Sequence, residues 1–153
     1  MSRPTVAEIN LLALKKNVKK LKKITRSKIY PVVKANAYGH GLKRVIETIN
    51  GSISGYCVAT FEESIELRRL TSKSIVCMEG PYNLVELKNL EKLNIDYVIH
   101  SNRQISFLAE IKSSDLSGNN KIWLKVDTGM NRLGFKENEI LKAFTTINSF
   151  KKK

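Results

Sequence analysis

The ten residues from Val32 to Gly41 read Val-Val-Lys-Ala-Asn-Ala-Tyr-Gly-His-Gly, and they set the organisation of the chain. The apolar run at residues 29–33 predicts a buried strand that ends at Lys34. A turn-prone segment follows, and a helical pattern begins at Leu42. Lys34 is therefore predicted to lie at the carboxyl end of a strand, which is where parallel α/β folds bind ligands.

A lysine at the end of a strand is compatible with two roles. Its long aliphatic stem can reach the surface, where the charged amine is solvated. Alternatively, removal from water leaves a lysine amine uncharged and nucleophilic, so that it can form a Schiff base with a carbonyl cofactor or substrate. The position of Lys34 in the chain favours the solvated role until the rest of its motif is considered.

The remainder of the chain alternates between predicted strands and helices. A short strand is predicted over residues 5–10, and a helix over residues 11–24. Further strands are predicted over residues 29–33, 56–59, 74–78, 97–100 and 122–126, and further helices over residues 42–50, 61–70, 84–93, 103–112 and 137–147. Thr60 and Ser101 are predicted helix N-caps.

Strands and helices that alternate in this way are typical of an α/β fold with a parallel sheet covered by helices. The pattern alone allows either an open doubly wound sheet or a closed barrel. No Gly-x-Gly-x-x-Gly motif follows the first strand. The dinucleotide-binding form of the open sheet is therefore disfavoured.

The composition is that of a soluble globular protein with excess positive charge. Hydrophobic residues make up 42% of the 153 residues, and the formal net charge is +13. Six lysines between residues 15 and 23 alternate with apolar residues at helical spacing and without aromatic residues, so an amphipathic helix is predicted rather than a nucleic-acid surface. We found no membrane-length apolar run and no signal-peptide core, which predicts a cytoplasmic protein. Cys57 and Cys77 lack metal-binding spacing and are predicted to be buried free thiols, with no metal site.

Two stretches of the chain resemble a known family. Residues 32–41 are similar to the pyridoxal-phosphate lysine motif of the fold-type III alanine racemases. A second block, Ile122-Trp-Leu-Lys-Val-Asp-Thr-Gly-Met-Asn-Arg-Leu-Gly-Phe135, resembles the strand and loop of that family that carry a substrate-side arginine. Both motifs occur in the family's order and at a similar separation. The resemblance extends across nearly the whole chain and implies a (β/α)8 TIM barrel.

The resemblance also implies roles for individual side chains. Lys34 binds pyridoxal phosphate covalently and, when the substrate amine displaces it, acts as the base on the D-amino-acid face. Tyr38 contacts the cofactor phosphate, while Arg132 bonds the cofactor ring oxygen and faces the substrate carboxylate. Lys125 matches a lysine that is carbamylated in some members and orients the arginine; an ordinary barrel lysine paired with a carboxylate is the alternative. Asp127 is expected to be structural.

The number of strand-helix units is too low for a closed barrel. Five units are predicted, whereas a full barrel has eight in about 250 residues. We therefore expect residues 1–153 to form the N-terminal portion of the pyridoxal-phosphate barrel, an incomplete barrel without the family's C-terminal β domain. In the family, a tyrosine of that domain is the second base and comes from the partner subunit of a homodimer. The chain alone is expected to be inactive or nearly so.

The expected function is the interconversion of L-alanine and D-alanine, which supplies D-alanine for peptidoglycan. Three alternatives stay open. The first is a racemase for another small amino acid, such as serine. The second is a single-domain pyridoxal-phosphate barrel protein that does not racemise, against which the block at residues 123–135 argues. The third is a basic binding module or remnant without catalysis.

Overall fold

Four parallel strands form a single sheet in a computed structural model that describes residues 4–150. The strands follow one another across the sheet in chain order, and each neighbouring pair is parallel. Their bounds are β1 Gly55–Val58, β2 Ser74–Cys77, β3 Asp96–Ile99 and β4 Ile122–Leu124. The expected fold class is confirmed: the protein is an incomplete parallel α/β barrel.

Helices connect the strands and cover the sheet. Their bounds are α1 Leu11–Ile24, α2 Lys34–Tyr38, α3 Leu42–Ile49, α4 Phe61–Arg68, α5 Leu84–Lys92, α6 Asn102–Glu110 and α7 Glu137–Phe150, with 3-10 turns at Asn50–Ser52 and Ser113–Asp115. Both predicted caps are confirmed, because Thr60 and Ser101 accept backbone hydrogen bonds from the first turns of α4 and α6. Within residues 4–150, no helix is long and apolar enough to cross a membrane.

Two predicted strands are wrong or much reduced. Residues 5–10 form no strand, and Val6 is 85% exposed, so this segment has no partner strand to stabilise it. The strand predicted at residues 29–33 is reduced to one bridge, between Val32 and Cys57. Pro31 has no N–H to donate, and the backbone turns away directly after Val33, so the ladder cannot extend. Of the six predicted strands, four therefore form the sheet, one is reduced to a bridging segment, and the one at residues 5–10 does not form.

The core lies between the sheet and its helices. Tyr56, Ile75 and Tyr97 of the strands are fully buried, as are Leu67 and Leu87 of the helices. Burying one such leucine contributes about 1.5–3 kcal/mol. This packing holds the strands in place, and loops follow their carboxyl ends.

The amphipathic character predicted for α1 is confirmed. Val18 of this helix is 6% exposed, whereas all six of its lysines are exposed.

The last strand, β4, has one covered and one open face. Trp123 of β4 is 47% exposed, while its neighbours Ile122 and Leu124 pack against the core. Successive residues of a strand point to opposite faces, so one face of β4 is covered and the other is open.

The cysteines are both free, but they differ in burial. Cys77 is buried as predicted, and burial raises the pKa of its thiol to about 11. Cys57 is only partly buried, and its backbone pairs with Val32 of the bridging segment. Burial also raises the pKa of the Cys57 thiol.

Candidate active site

Lys34 begins α2, which is a left-handed helical turn. The four residues Ala35, Asn36, Ala37 and Tyr38 all have positive φ angles, between 49° and 55°. The left-handed conformation costs a residue other than glycine about 1–2 kcal/mol of conformational free energy, so four such residues in succession store several kcal/mol of strain. Backbone strain of this kind concentrates at functional sites.

Local contacts hold α2 in its strained conformation. Val33 and Ala37 are buried and anchor it to the core. The Asn36 side chain accepts a hydrogen bond of 2.7 Å from the backbone N–H of Leu42, which joins α2 to the start of α3. His40 Nδ1 lies 2.9 Å from the carbonyl oxygen of Ala37. These contacts fix the backbone from which the Lys34 side chain projects.

A long-range contact comes from Glu63 in the first turn of α4. The backbone N–H of Ala35 donates a 2.7 Å hydrogen bond to Glu63 Oε1, across 28 residues of sequence. The other oxygen, Oε2, accepts a 2.8 Å bond from the N–H of Ala59. The sequence predicts Thr60 as the N-cap of this helix, but it carries no signal for the contact between Glu63 and Ala35.

The amine of Lys34 is available for chemistry. Lys34 is half-buried, and its Nζ lies 5.9 Å from the ring centroid of Tyr38, which is 59% exposed. Within residues 4–150, no carboxylate lies within 4.0 Å of this amine; the ion pair found in that range joins Lys88 to Asp115. The structure thus brings together two of the predicted site residues, Lys34 and Tyr38.

Arg132 lies in a loop that Asp127 organises. Asp127 Oδ1 accepts 3.0 Å hydrogen bonds from the backbone N–H groups of Gly129 and Asn131. These donors, Asn131 first and Gly129 second, lower the pKa of the Asp127 carboxyl. The contacts agree with the structural role expected of Asp127, since the loop around Arg132 closes on its carboxylate.

The end of the same loop returns to the sheet. Phe135 is buried, and its backbone N–H donates a 2.9 Å hydrogen bond to the carbonyl of Lys125. Gly134 has a φ of 132°, and a Cβ there would lie 2.6 Å from the Asp127 nitrogen, so a side chain does not fit. Within residues 4–150, no carboxylate pairs with Lys125. Within this range, Lys125 therefore has no carboxylate with which to form the ion pair of the alternative role.

An open pocket of about 570 Å³ is lined by Arg132 together with His100, Ser101, Asp127, Asn131, Leu133, Gly134 and Lys136. Lys34 does not line it. The segment before Lys34 pairs with β1, whereas Arg132 follows β4, so β1, β2 and β3 separate the two groups. Both groups therefore follow the carboxyl ends of sheet segments, at the same end of the parallel strands. Another cavity, of about 380 Å³, involves Tyr97 and Ile122 at the opposite ends of the strands.

The fold and the site define a class of protein, a parallel βα barrel with its candidate chemistry at the carboxyl edge of the strands. Residues 9–152 match the family described as alanine racemase, N-terminal domain, and the chain belongs to that family.

Known relatives agree with this assignment. The alanine racemase of Erwinia tasmaniensis is 40% identical over 153 residues, which cover 99% of this chain and 42% of that protein. The structure of alanine racemase from Acinetobacter baumannii matches 93% of this chain and 40% of its own, with 35% identity and a TM-score of 0.85. A histidine racemase from Leuconostoc mesenteroides subsp. sake matches 91% of this chain and 38% of its own, with 28% identity and a TM-score of 0.80. The chain thus spans about two fifths of the length of these relatives.

Proposed function

We propose that this chain supplies the lysine side of an alanine racemase site, in which L-alanine and D-alanine are interconverted with pyridoxal phosphate. The observation that carries the proposal is the placement of Lys34. Lys34 is half-buried as a residue, its amine has no carboxylate partner within residues 4–150, and it directly follows a segment that pairs with the sheet. We also propose that the D-alanine product serves peptidoglycan synthesis and that the reaction takes place in the cytoplasm.

The residues present suit the chemical groups of pyridoxal phosphate. The cofactor carries an aldehyde, a phosphate and a ring oxygen. Lys34 offers a primary amine for the aldehyde, the exposed phenol of Tyr38 offers a hydrogen bond to the phosphate, and Arg132 offers a guanidinium to the ring oxygen. When bound, pyridoxal phosphate supplies an electron sink for the pair of electrons left on Cα when the proton departs.

The side chains of this chain would then perform three tasks. The Lys34 amine removes or returns the Cα proton on the D-amino-acid face. The planar guanidinium of Arg132 would face the substrate carboxylate, a group to which its geometry is suited. Lys125 precedes the Arg132 loop, and we propose that it supports the arginine.

Racemisation also needs a base on the opposite face of the substrate. We propose that residues 1–153 are the N-terminal portion of the barrel domain, and that the second base comes from the three fifths of the relatives' length that this chain does not span. In the homodimer expected for the family, the partner subunit provides it. On its own the 153-residue chain is expected to give no measurable racemisation.

A second candidate substrate follows from the neighbours. One structure that matches this chain with a TM-score of 0.80 is a histidine racemase. The same lysine and arginine chemistry can act on any amino acid, because it involves only the α-amino, α-carboxyl and Cα–H groups. Which amino acid is racemised fastest therefore has to be measured with substrates whose side chains differ in size.

A chimera tests the proposal. The matching N-terminal part of the Erwinia tasmaniensis alanine racemase is replaced by this chain, and racemisation of L-alanine, L-serine and L-histidine is followed by chiral chromatography. Alanine is expected to be the best substrate. Lys34→Ala should lower the rate by about 10²–10⁴-fold or more, because a proton-transfer group is lost. Lys43→Ala, at an exposed position of α3, is the control and should change nothing. Full activity in the Lys34→Ala chimera would contradict the proposal.

A further inference from the structure

The Glu63 carboxylate joins two segments that are far apart in sequence. Oε2 accepts hydrogen bonds from the N–H groups of Ala59 at 2.8 Å and Thr60 at 3.3 Å, at the start of α4. Oε1 accepts the N–H of Ala35 at 2.7 Å. Ala35 follows Lys34 directly and is the first residue of α2 with a positive φ. The carboxylate therefore holds the backbone at Ala35, where the left-handed conformation begins directly after Lys34.

Capping α4 does not require this second contact. A glutamate in the third position of a helix completes a capping box by accepting the N-cap N–H, which Oε2 does here. Glu86 occupies the same position in α5, and among residues 4–150 its carboxylate accepts hydrogen bonds only from Tyr82 and Asn83, both within four residues. The Oε1 contact of Glu63 is therefore an additional feature of the lysine segment.

Satisfying a buried donor does not explain the contact either. Ala35 is exposed, so water could accept its N–H without loss. A charged acceptor gives a shorter and stronger hydrogen bond than a neutral one. It also holds the N–H in a fixed direction, which a freely exchanging water does not. The effect of the contact is to hold the strained backbone in place next to Lys34.

We propose that Glu63 is a positioning residue for Lys34: its carboxylate ties the left-handed turn to the start of α4 and thereby sets where the Lys34 amine is presented. The inference rests on the proposed function only in taking the Lys34 amine as the reacting group. Glu63 takes no part in proton transfer in this account. It acts through the backbone of Ala35.

Three variants of Glu63 separate geometry from charge. Glu63→Ala removes both contacts. Glu63→Asp keeps the charge, but its side chain is one methylene shorter and cannot hold Ala35 and Ala59 together. Glu63→Gln keeps one acceptor oxygen, while its NH₂ group cannot accept a hydrogen bond, so one of the two segments is released. Thr60→Ala removes the side-chain cap of α4 alone, and Glu86→Ala removes the equivalent glutamate side chain of α5.

Two readouts are measured on the full 153-residue chain. The first is amide hydrogen exchange at Ala35, which needs no cofactor. The second is the yield of pyridoxyl adduct at Lys34 relative to all other lysines, after treatment with pyridoxal phosphate and borohydride. Urea unfolding of each variant identifies those that remain folded, and Glu63→Gln serves if Glu63→Ala does not fold.

The expected result is that Glu63→Ala and Glu63→Asp speed exchange at Ala35 by about tenfold or more, as the loss of a bond to a charged acceptor implies. Both should lower the share of adduct at Lys34, and Glu63→Gln should lie between them and the wild type. Thr60→Ala and Glu86→Ala should leave both readouts within about twofold of the wild type, since neither variant removes the contact with Ala35.

The proposal would be overturned if Thr60→Ala matched Glu63→Ala, because helix capping would then be the whole effect. It would also be overturned if Glu63→Asp behaved as the wild type, because charge without the contact would then suffice. If the wild-type chain gave no adduct at Lys34, the proposed function would fail, while the exchange of Ala35 would still decide whether Glu63 holds the turn.

Discussion

Replacing Ala35 by glycine is expected to stabilise the protein. Ala35 is exposed and has φ 49° and ψ 54°, in the left-handed region. Relief of this conformation contributes about 1–2 kcal/mol, because glycine has no Cβ to clash with the next carbonyl. The greater freedom of glycine in the unfolded chain costs about 0.4–1 kcal/mol. The net change is a gain of about 0.5–1 kcal/mol in the free energy of unfolding.

Urea unfolding of the 153-residue chain measures this change. With a denaturant dependence of about 2 kcal/mol per molar urea, the midpoint should rise by about 0.25–0.5 M. The matched control is Ala109→Gly, at an exposed position of the right-handed helix α6, where glycine should lower stability by about 0.5–1 kcal/mol. If Ala35→Gly lowered the midpoint as much as Ala109→Gly does, the left-handed conformation of Ala35 would be refuted.

Three further predictions concern the Arg132 loop and the thiols. Backbone donors hold the pKa of the Asp127 carboxyl below its usual value of 3.8, so the charged carboxylate stabilises the loop above that pH and this support is lost as the pH falls through the lowered pKa. An NMR titration that follows the Gly129 amide should therefore have its midpoint below pH 3.8, and a midpoint above pH 3.8 would contradict the account. Gly134→Ala should lower the free energy of unfolding by about 1–3 kcal/mol, because the new Cβ meets backbone at a positive φ, and an unchanged urea midpoint would count against this loop geometry. With a pKa of about 11, Cys77 is only about 0.1% thiolate at pH 8, so iodoacetamide followed by mass analysis should label Cys57 first, and equal rates would be inconsistent with the burial of Cys77.

The regular elements were predictable because hydrophobic periodicity records which faces are buried. The alternation of strands and helices, and the caps at Thr60 and Ser101, follow from local signals and are confirmed. The segment at residues 29–33 has the apolar run of a strand, yet forms a single bridge. Its ladder is cut short by a change of backbone hand at Ala35, and alanine has no sequence preference that would indicate such a change.

The sequence predicts which residues make up the candidate site, but it says less about the geometry of that site. Lys34, Tyr38 and Arg132 were identified from two motifs, and the structure places all three near the carboxyl edge of the sheet. The role of Glu63 was not foreseen, because the contact with Ala35 joins residues 28 positions apart. Local sequence patterns indicate helix caps within a few residues, but a side chain that serves two segments is visible only after the chain has folded.

Pyridoxal-phosphate labelling of the purified chain tests the central claim most directly. The chain is incubated with the cofactor, reduced with borohydride and digested, and the modified lysines are located by peptide mass, with a pyridoxal-phosphate analogue as competitor. The account predicts an adduct concentrated at Lys34 and suppressed by the competitor, because Lys34 is a half-buried residue whose amine has no carboxylate partner within residues 4–150. An adduct spread over the exposed lysines of α1, or the same yield at Lys34 in the presence of the competitor, would contradict it.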